Sequence, residues 1–193
     1  MKKEPFDFDN AKSIIEFINY CFSLKHFPDM AFEFQKLNVL IVEDTEPMLQ
    51  LVRSVLETLG VEKVYDANDG QSGYVSFQRN KPDIVITDWH MEPMSGLDFV
   101  NKIRNDKNSH NKMVPIMMMT GFSAIPRVER ARDVGVTEFL VKPFSANDLA
   151  RRLAHVINKP RDFVETADYF GPDRRRKKRP SGFGGPFRRD SDI

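Results

Sequence analysis

Several short apolar runs in this 193-residue chain end on polar side chains that could take part in chemistry. LNVLIV (37–42) runs into Glu43 and Asp44, and PDIVIT (82–87) runs into Asp88. VPIMMMT (114–120) ends on Thr120, and VTEFLV (136–141) is followed by Lys142. A single acid after a strand is usually a helix cap or a solvated loop residue. The recurrence of such residues after several runs therefore indicates a site.

The types of these side chains favour phosphoryl chemistry. Three carboxylates brought together repel one another, which implies either raised pKa values or a bound cation. Mg²⁺ suits oxygen ligands in an open pocket built from loops, because it retains several waters. The carboxylate of Asp88 could attack a phosphoryl donor and become an aspartyl phosphate. The metal and Lys142 would stabilise the charge of the transfer, and Thr120 could hydrogen-bond the phosphoryl group afterwards.

The segments between these runs have the spacing of amphipathic helices. In EPMLQLVRSVLETLG (46–60), apolar residues recur at helical intervals, Pro47 suits a first turn and Gly60 suits a helix end. The pattern predicts strands over 37–42, 61–67, 83–87, 114–120 and 136–141. It predicts helices over 46–60, 69–79, 95–106, 124–135 and 145–158, the last one capped by Ser145.

Five successive strand–helix units with nearly continuous apolar strands predict an α/β fold. Such strands form a parallel sheet that is covered by helices on both faces, and right-handed crossovers leave few topologies. Sites in open sheets of this kind lie beyond the carboxyl ends of the strands. The polar residues at the ends of the runs are therefore expected to converge on one edge.

Residues 37–158 resemble a receiver domain, the phosphoacceptor module of two-component response regulators, in its stand-alone, chemotaxis-regulator-like form. The segments that carry the resemblance are VLIVEDTEPM, DIVITDWHMEPMSGLDFV, PIMMMTGFS and EFLVKPF. The resemblance covers roughly two-thirds of the chain. It implies a flavodoxin-like, doubly wound, five-stranded parallel sheet with strand order 2-1-3-4-5.

The resemblance also implies roles for individual residues at the metal and phosphoryl site. It makes Asp88 the phosphoacceptor and Asp44 the principal metal carboxylate, with Glu43 in the second acidic position, either directly or through water. The backbone carbonyl of His90 would be a further metal ligand, while its side chain has no assigned role. Lys142 would bind the phosphoryl group, with a cis peptide bond between Lys142 and Pro143.

Further roles concern switching. The resemblance makes Thr120 the switch hydroxyl, and Gly121 would leave space for the phosphoryl group. Phe139 occupies the aromatic switch position, where tyrosine is frequent, so its ring can still be buried on switching but has no hydroxyl to make a contact. Glu92 either adds negative charge near the metal or is a solvated loop acid, and we favour the second.

The segments on either side of this unit differ from it in composition. Residues 1–36 contain a predicted helix over 10–24 with a wide apolar face, which would pack on the same chain, dimerise or dock a partner. Residues 159–193 form a basic, Gly/Pro-rich tail that is expected to be largely irregular. No helix-turn-helix can be read in the tail, which argues against a DNA-binding output domain.

Six consecutive basic residues distinguish the tail: Arg174, Arg175, Arg176, Lys177, Lys178 and Arg179. They follow Tyr169 and Phe170, and arginines beside aromatic rings suit phosphate clamping and base stacking. Stand-alone receivers with arginine-rich segments that bind cyclic di-GMP are similar. A solvated tail, or one that binds an acidic protein surface, RNA or anionic lipid, is the alternative.

Composition limits the remaining function classes. A net charge of +1 indicates no class of partner, and one cysteine, Cys21, permits no intramolecular disulfide. No apolar run is long enough to span a membrane, so we expect a cytoplasmic protein. The leading hypothesis is a signalling switch, not an enzyme, that accepts a phosphoryl group from a histidine kinase or phosphotransfer protein and changes its affinity for a downstream protein. The alternatives are an arginine-tail effector that binds an anionic ligand and a phosphate sink without output.

Overall fold

The computed structural model describes residues 34–121, 125–166 and 169–174, except for the side chains of residue 35 and residues 125–128. After a 3-10 turn at Phe34–Lys36, the strands and helices alternate. The strands of the main sheet are β1 Asn38–Val42, β2 Lys63–Ala67, β3 Ile84–Asp88, β4 Ile116–Thr120 and β5 Glu138–Val141. The helices are α1 Glu46–Thr58, α2 Gly70–Asn80, α3 Gly96–Asn105, α4 Ile125–Val134 and α5 Ala146–Asn158.

The five strands form one parallel sheet in the order β2-β1-β3-β4-β5, which confirms the predicted fold. Every residue of β3 and β4 is buried, as expected for strands that are covered on both faces. Alternate residues point into two separate cores. Leu40, Val85 and Met118 lie in one, and Ile41 and Ile86 lie in the other.

The helix boundaries agree with their sequence signals to within two residues. Pro47 lies in the first turn of α1, and Gly60 and Gly135 follow α1 and α4 with φ angles of 81° and 101°. Ser145 caps α5 through a reciprocal capping box with Asp148. These local signals determine where the helices begin and end after the strands that carry the polar residues.

A short antiparallel hairpin follows α5. Its strands are β6 Phe163–Thr166 and β7 Tyr169–Pro172, and they pair with each other and not with the main sheet. The hairpin lies in the segment that was predicted to be largely irregular, and it corrects that expectation for these residues. The predicted helix over 10–24, Cys21 and the basic residues 175–179 lie outside the described residues.

Candidate functional site

The carboxyl ends of four strands bring the predicted site residues together. Glu43 and Asp44 follow β1, Asp88 is the last residue of β3 and Thr120 is the last residue of β4. Lys142 follows β5, and its backbone N–H donates to the Thr120 carbonyl over 2.8 Å. The convergence expected from a parallel sheet is therefore present in the structure.

A buried ion-pair network centred on Lys142 connects two of the acids. The Lys142 Nζ lies 2.7 Å from Asp88 Oδ1 and 2.9 Å from Glu43 Oε2. Glu43 is 1% exposed and Asp88 is 7% exposed, so both carboxylates need a partner in the protein. Burial alone lowers the pKa of Lys142, but the hydrogen bonds and attraction from Asp88 and Glu43 outweigh it and hold this pKa above its usual value.

The peptide bond between Lys142 and Pro143 is cis, as the sequence resemblance implied. A second cis peptide bond joins Glu92 to Pro93, in the loop that follows Asp88. Glu92 itself is exposed, which fits the solvated position favoured from the sequence.

Three carboxylates form a group that could hold a cation. One oxygen each from Glu43, Asp44 and Asp88 lies within 4.8 Å of the others, and Asp44 is exposed to solvent. An all-oxygen set that is open on one side fits Mg²⁺, which retains several waters. Glu43 is the least available of the three, because Oε2 accepts from Lys142 and Oε1 accepts from the Thr45 backbone N–H over 3.2 Å.

His90 is held next to the candidate phosphoacceptor through its backbone. Its N–H donates to Asp88 Oδ2 over 2.9 Å, so the Asp88 carboxylate is oriented by Lys142 on one oxygen and by the loop on the other. The His90 side chain is exposed, and its ring centroid lies 6.3 Å from that of Trp89. Trp89 is buried in the core beside the site.

The two predicted switch residues lie on adjacent strands. Thr120 at the end of β4 is 1% exposed and is paired in register with Val141 on β5. The Phe139 side chain, two residues earlier on β5, is 9% exposed and lies in the same core cluster as Trp89. Gly121 is exposed, and a Cβ atom at this position would meet none of the described residues within 4 Å.

Gly96 is a residue of the site that reasoning from the sequence missed. It opens α3, and a Cβ atom there would lie 1.8 Å from the backbone carbonyl oxygen of Asp88. Its N–H donates to the Trp89 carbonyl over 3.1 Å. A glycine directly after a capping serine was the available signal, but the close approach depends on how α3 packs against β3.

Arg174, the first residue of the predicted anion-binding cluster, is engaged within the fold. Its guanidinium lies 2.7 Å from Asp133 Oδ1 and 4.0 Å from the centre of the Tyr169 ring. Arg175, Arg176, Lys177, Lys178 and Arg179 lie outside the described residues, so the anion-binding role of the cluster stays a prediction. Among the described residues, no helix is long and apolar enough to cross a membrane.

Comparisons with known proteins agree with this geometry. The family model described as the response regulator receiver domain matches residues 39–154. Chemotaxis protein CheY-3 of Vibrio cholerae is 30% identical over 125 residues, which are 65% of this chain and 95% of that protein. Chemotaxis protein CheY1 of Helicobacter pylori is 34% identical over 122 residues, 63% of this chain and 97% of that protein. The structure of the chemotaxis response regulator CheY4 of Vibrio cholerae superposes with a TM-score of 0.58 at 32% identity, covering 62% of this chain and 98% of that one.

Proposed function

The chain belongs to the response regulator receiver family, and from that premise we propose that it is a signalling switch that accepts a phosphoryl group on Asp88 in the presence of Mg²⁺. The observation that carries the proposal is the position of the Lys142 Nζ between Asp88 and Glu43, beside the exposed carboxylate of Asp44. A receiver domain implies a histidine kinase or phosphotransfer protein as donor. The chain's own part is acceptance of the group, so we classify it as a switch and not as an enzyme.

In the proposed transfer, a carboxylate oxygen of Asp88 attacks the phosphorus of a phosphohistidine. The new phosphorus–oxygen bond forms as the phosphorus–nitrogen bond breaks, and the electron pair of that bond leaves with the imidazole of the donor. Lys142 already contacts Asp88, so its ammonium is placed to stabilise the negative charge on the phosphoryl oxygens. Asp44 and Asp88 would hold a Mg²⁺ ion together with Glu43 and the backbone carbonyl of His90. The ion would neutralise further negative charge.

Residues on β4 and β5 would connect phosphorylation of Asp88 to a change at the protein surface. The Thr120 hydroxyl would donate to the phosphoryl group, and the lack of a side chain at Gly121 would leave room for it. Thr120 and Phe139 are on paired strands, so a shift of one biases the other. The resulting change would alter the surface formed by α4, β5 and α5, and with it the affinity for a downstream protein.

The test compares the wild type with Asp88→Asn in the presence of acetyl phosphate and Mg²⁺, with intact mass as the readout. We expect the wild type to gain one phosphoryl group and the variant to gain none. Asp83→Asn is the matched control, because Asp83 is an exposed acid at the opposite end of β3, where it accepts from the Asn38 N–H over 2.9 Å. Loss of the modification in both variants, or its persistence without Mg²⁺, would contradict the proposal.

A further inference from the structure

The hairpin and the residues that flank it pack against two parts of the receiver. One part is residues 132–137, which form the end of α4, the turn that follows and the residue before β5, and the other is Arg104 of α3. The Tyr169 hydroxyl oxygen lies 3.4 Å from the Arg132 carbonyl oxygen, and Arg174 pairs with Asp133 over 2.7 Å. The Arg161 Nη1 donates to the Thr137 carbonyl over 3.1 Å.

A buried arginine of α3 lies under the hairpin and joins it to the same turn. Arg104 is 1% exposed, and its Nε and Nη2 donate to the Gly135 carbonyl over 3.1 and 3.0 Å. Its Nη1 donates to the Lys112 carbonyl over 2.6 Å. The Phe163 ring of β6 lies 5.2 Å from the guanidinium carbon, a distance at which a ring face attracts a cation. The hairpin therefore covers a buried cation that is stabilised by backbone carbonyls and by the face of the Phe163 ring.

The interface between β7 and the turn is tight. A Cβ atom at Gly171 would lie 2.4 Å from the Tyr169 hydroxyl oxygen and 3.1 Å from the Gly135 Cα. The Tyr169 hydroxyl is also held by the Pro172 carbonyl over 2.8 Å. An added methyl group would therefore displace the Tyr169 hydroxyl and crowd the Gly135 Cα atom, which disturbs the contact between the hairpin and the turn without changing any residue of the main sheet.

The segment that the hairpin holds connects the two switch positions. Residues 132–137 form the end of α4 and the entry to β5, between Thr120 at the end of β4 and Phe139 on β5. Arg161 fixes the carbonyl of Thr137, two residues before Phe139, and the Thr137 hydroxyl accepts from the Ile116 N–H at the start of β4 over 3.0 Å. These hydrogen bonds connect the strand that carries Phe139 to Arg161, next to the hairpin.

We propose that the hairpin is a clasp whose docking on residues 132–137 is thermodynamically coupled to phosphorylation of Asp88. The coupling rests on the proposed function and adds to it a regulatory segment, the hairpin, which lies outside residues 39–154, the range that the family model matches. The docked hairpin accompanies a buried Phe139 ring, which is the arrangement that switching is expected to favour. Docking of the hairpin and phosphorylation of Asp88 therefore favour the same arrangement, so each makes the other more favourable.

The experiment uses the full chain and the phosphoryl analogue beryllofluoride with Mg²⁺, with Trp89 as the fluorescent reporter. We expect Gly171→Ala to weaken beryllofluoride binding about fivefold or more, a typical coupling between sites. Glu165→Ala is the matched control, because Glu165 is an exposed residue of the same hairpin, and it should bind as the wild type does. In wild type, beryllofluoride should slow hydrogen exchange of the hairpin amides, because coupling is reciprocal.

The outcomes separate the two proposals. If the wild type does not bind beryllofluoride, both the proposed function and the coupling are wrong. If the wild type binds, but Gly171→Ala binds equally well or more tightly, the coupling alone is wrong. Should Gly171→Ala fail to fold, hydrogen exchange in the wild type decides, and hairpin amides that exchange at the same rate with and without beryllofluoride would refute the clasp.

Discussion

The start of α3 lies against the backbone of the candidate phosphoacceptor, and Gly96→Ala should show how closely the site depends on that contact. The new Cβ atom would be 1.8 Å from the Asp88 carbonyl oxygen and 3.2 Å from Thr87 Oγ1, whereas ordinary contacts begin at 3.4 Å. The nearest atom is backbone, in a strand of which every residue is buried. Either β3 or the first turn of α3 must therefore move.

The size of the effect follows from that displacement. The carbonyl oxygen and the methyl group must separate by more than about 1 Å, and a misplacement of about 1 Å in a reacting group can reduce a rate about 100-fold. Overpacking of a well-packed interior costs about 1–3 kcal/mol of stability. We expect Gly96→Ala to slow Mg²⁺-dependent phosphorylation by acetyl phosphate about 100-fold and to lower the free energy of unfolding by about 2 kcal/mol.

Ser95→Ala is the control, since it weakens the same helix without pressing on Asp88. Ser95 caps α3 by accepting from the Asp98 N–H, and loss of such a cap costs about 1 kcal/mol. The two variants are compared by urea unfolding and by the rate of phosphorylation, followed through Trp89. Ser95→Ala should lose stability and retain the rate. A Gly96→Ala protein that is phosphorylated at the wild-type rate, or a Ser95→Ala protein that is slowed as strongly, would show that the contact between Gly96 and Asp88 does not control the site.

Two further substitutions test the charges of the fold. Lys142→Met removes the ammonium between Glu43 and Asp88, and removal of one partner of a buried pair costs about 3–5 kcal/mol. Urea unfolding should show this loss of stability, and Mg²⁺ should partly restore it. Unchanged stability would contradict this prediction. His110 packs on Phe77 with ring centroids 4.1 Å apart, and burial, together with the charge of Lys81, lowers the pKa of this histidine below its usual 6.5. The unfolded chain therefore binds more protons than the folded one in mild acid, so stability should fall as the pH decreases from about 7 to about 5. His110→Gln should flatten that slope in thermal unfolding measured across the same range, and an unchanged slope would show that other groups are responsible.

The convergence of the site could be predicted from the sequence because the architecture allows few alternatives. Parallel strands place their carboxyl ends at one edge, so identifying the strands from their apolar runs was sufficient to bring Asp88, Thr120 and Lys142 together. The order of the strands came from the resemblance and not from periodicity. Local signals such as the Ser145 cap and the Gly135 turn depend on only a few neighbouring residues, and they too could be read directly.

The features that were missed depend on packing between distant segments. The sequence places Glu43 and Lys142 near each other, but whether Glu43 faces the lysine or a metal depends on side-chain orientation. Gly96 looks like an ordinary first residue of a helix until α3 is set against β3. The hairpin has aromatic and β-branched residues, yet Gly171 and Pro172 argue against a strand, and its contacts with the distant Arg104 are not visible in the local pattern.

The buried guanidinium of Arg104 links the receiver of this chain to residues that follow it in the sequence. The match to the family model ends at residue 154, but the folded surface over Arg104 is completed by Phe163, which comes later in the chain. A protein cut after α5 would expose that guanidinium and the carbonyls of Arg132 and Thr137 to water. The packed structure thus extends past the range that the family model matches, and we expect a receiver cut after α5 to differ in its properties from the full chain.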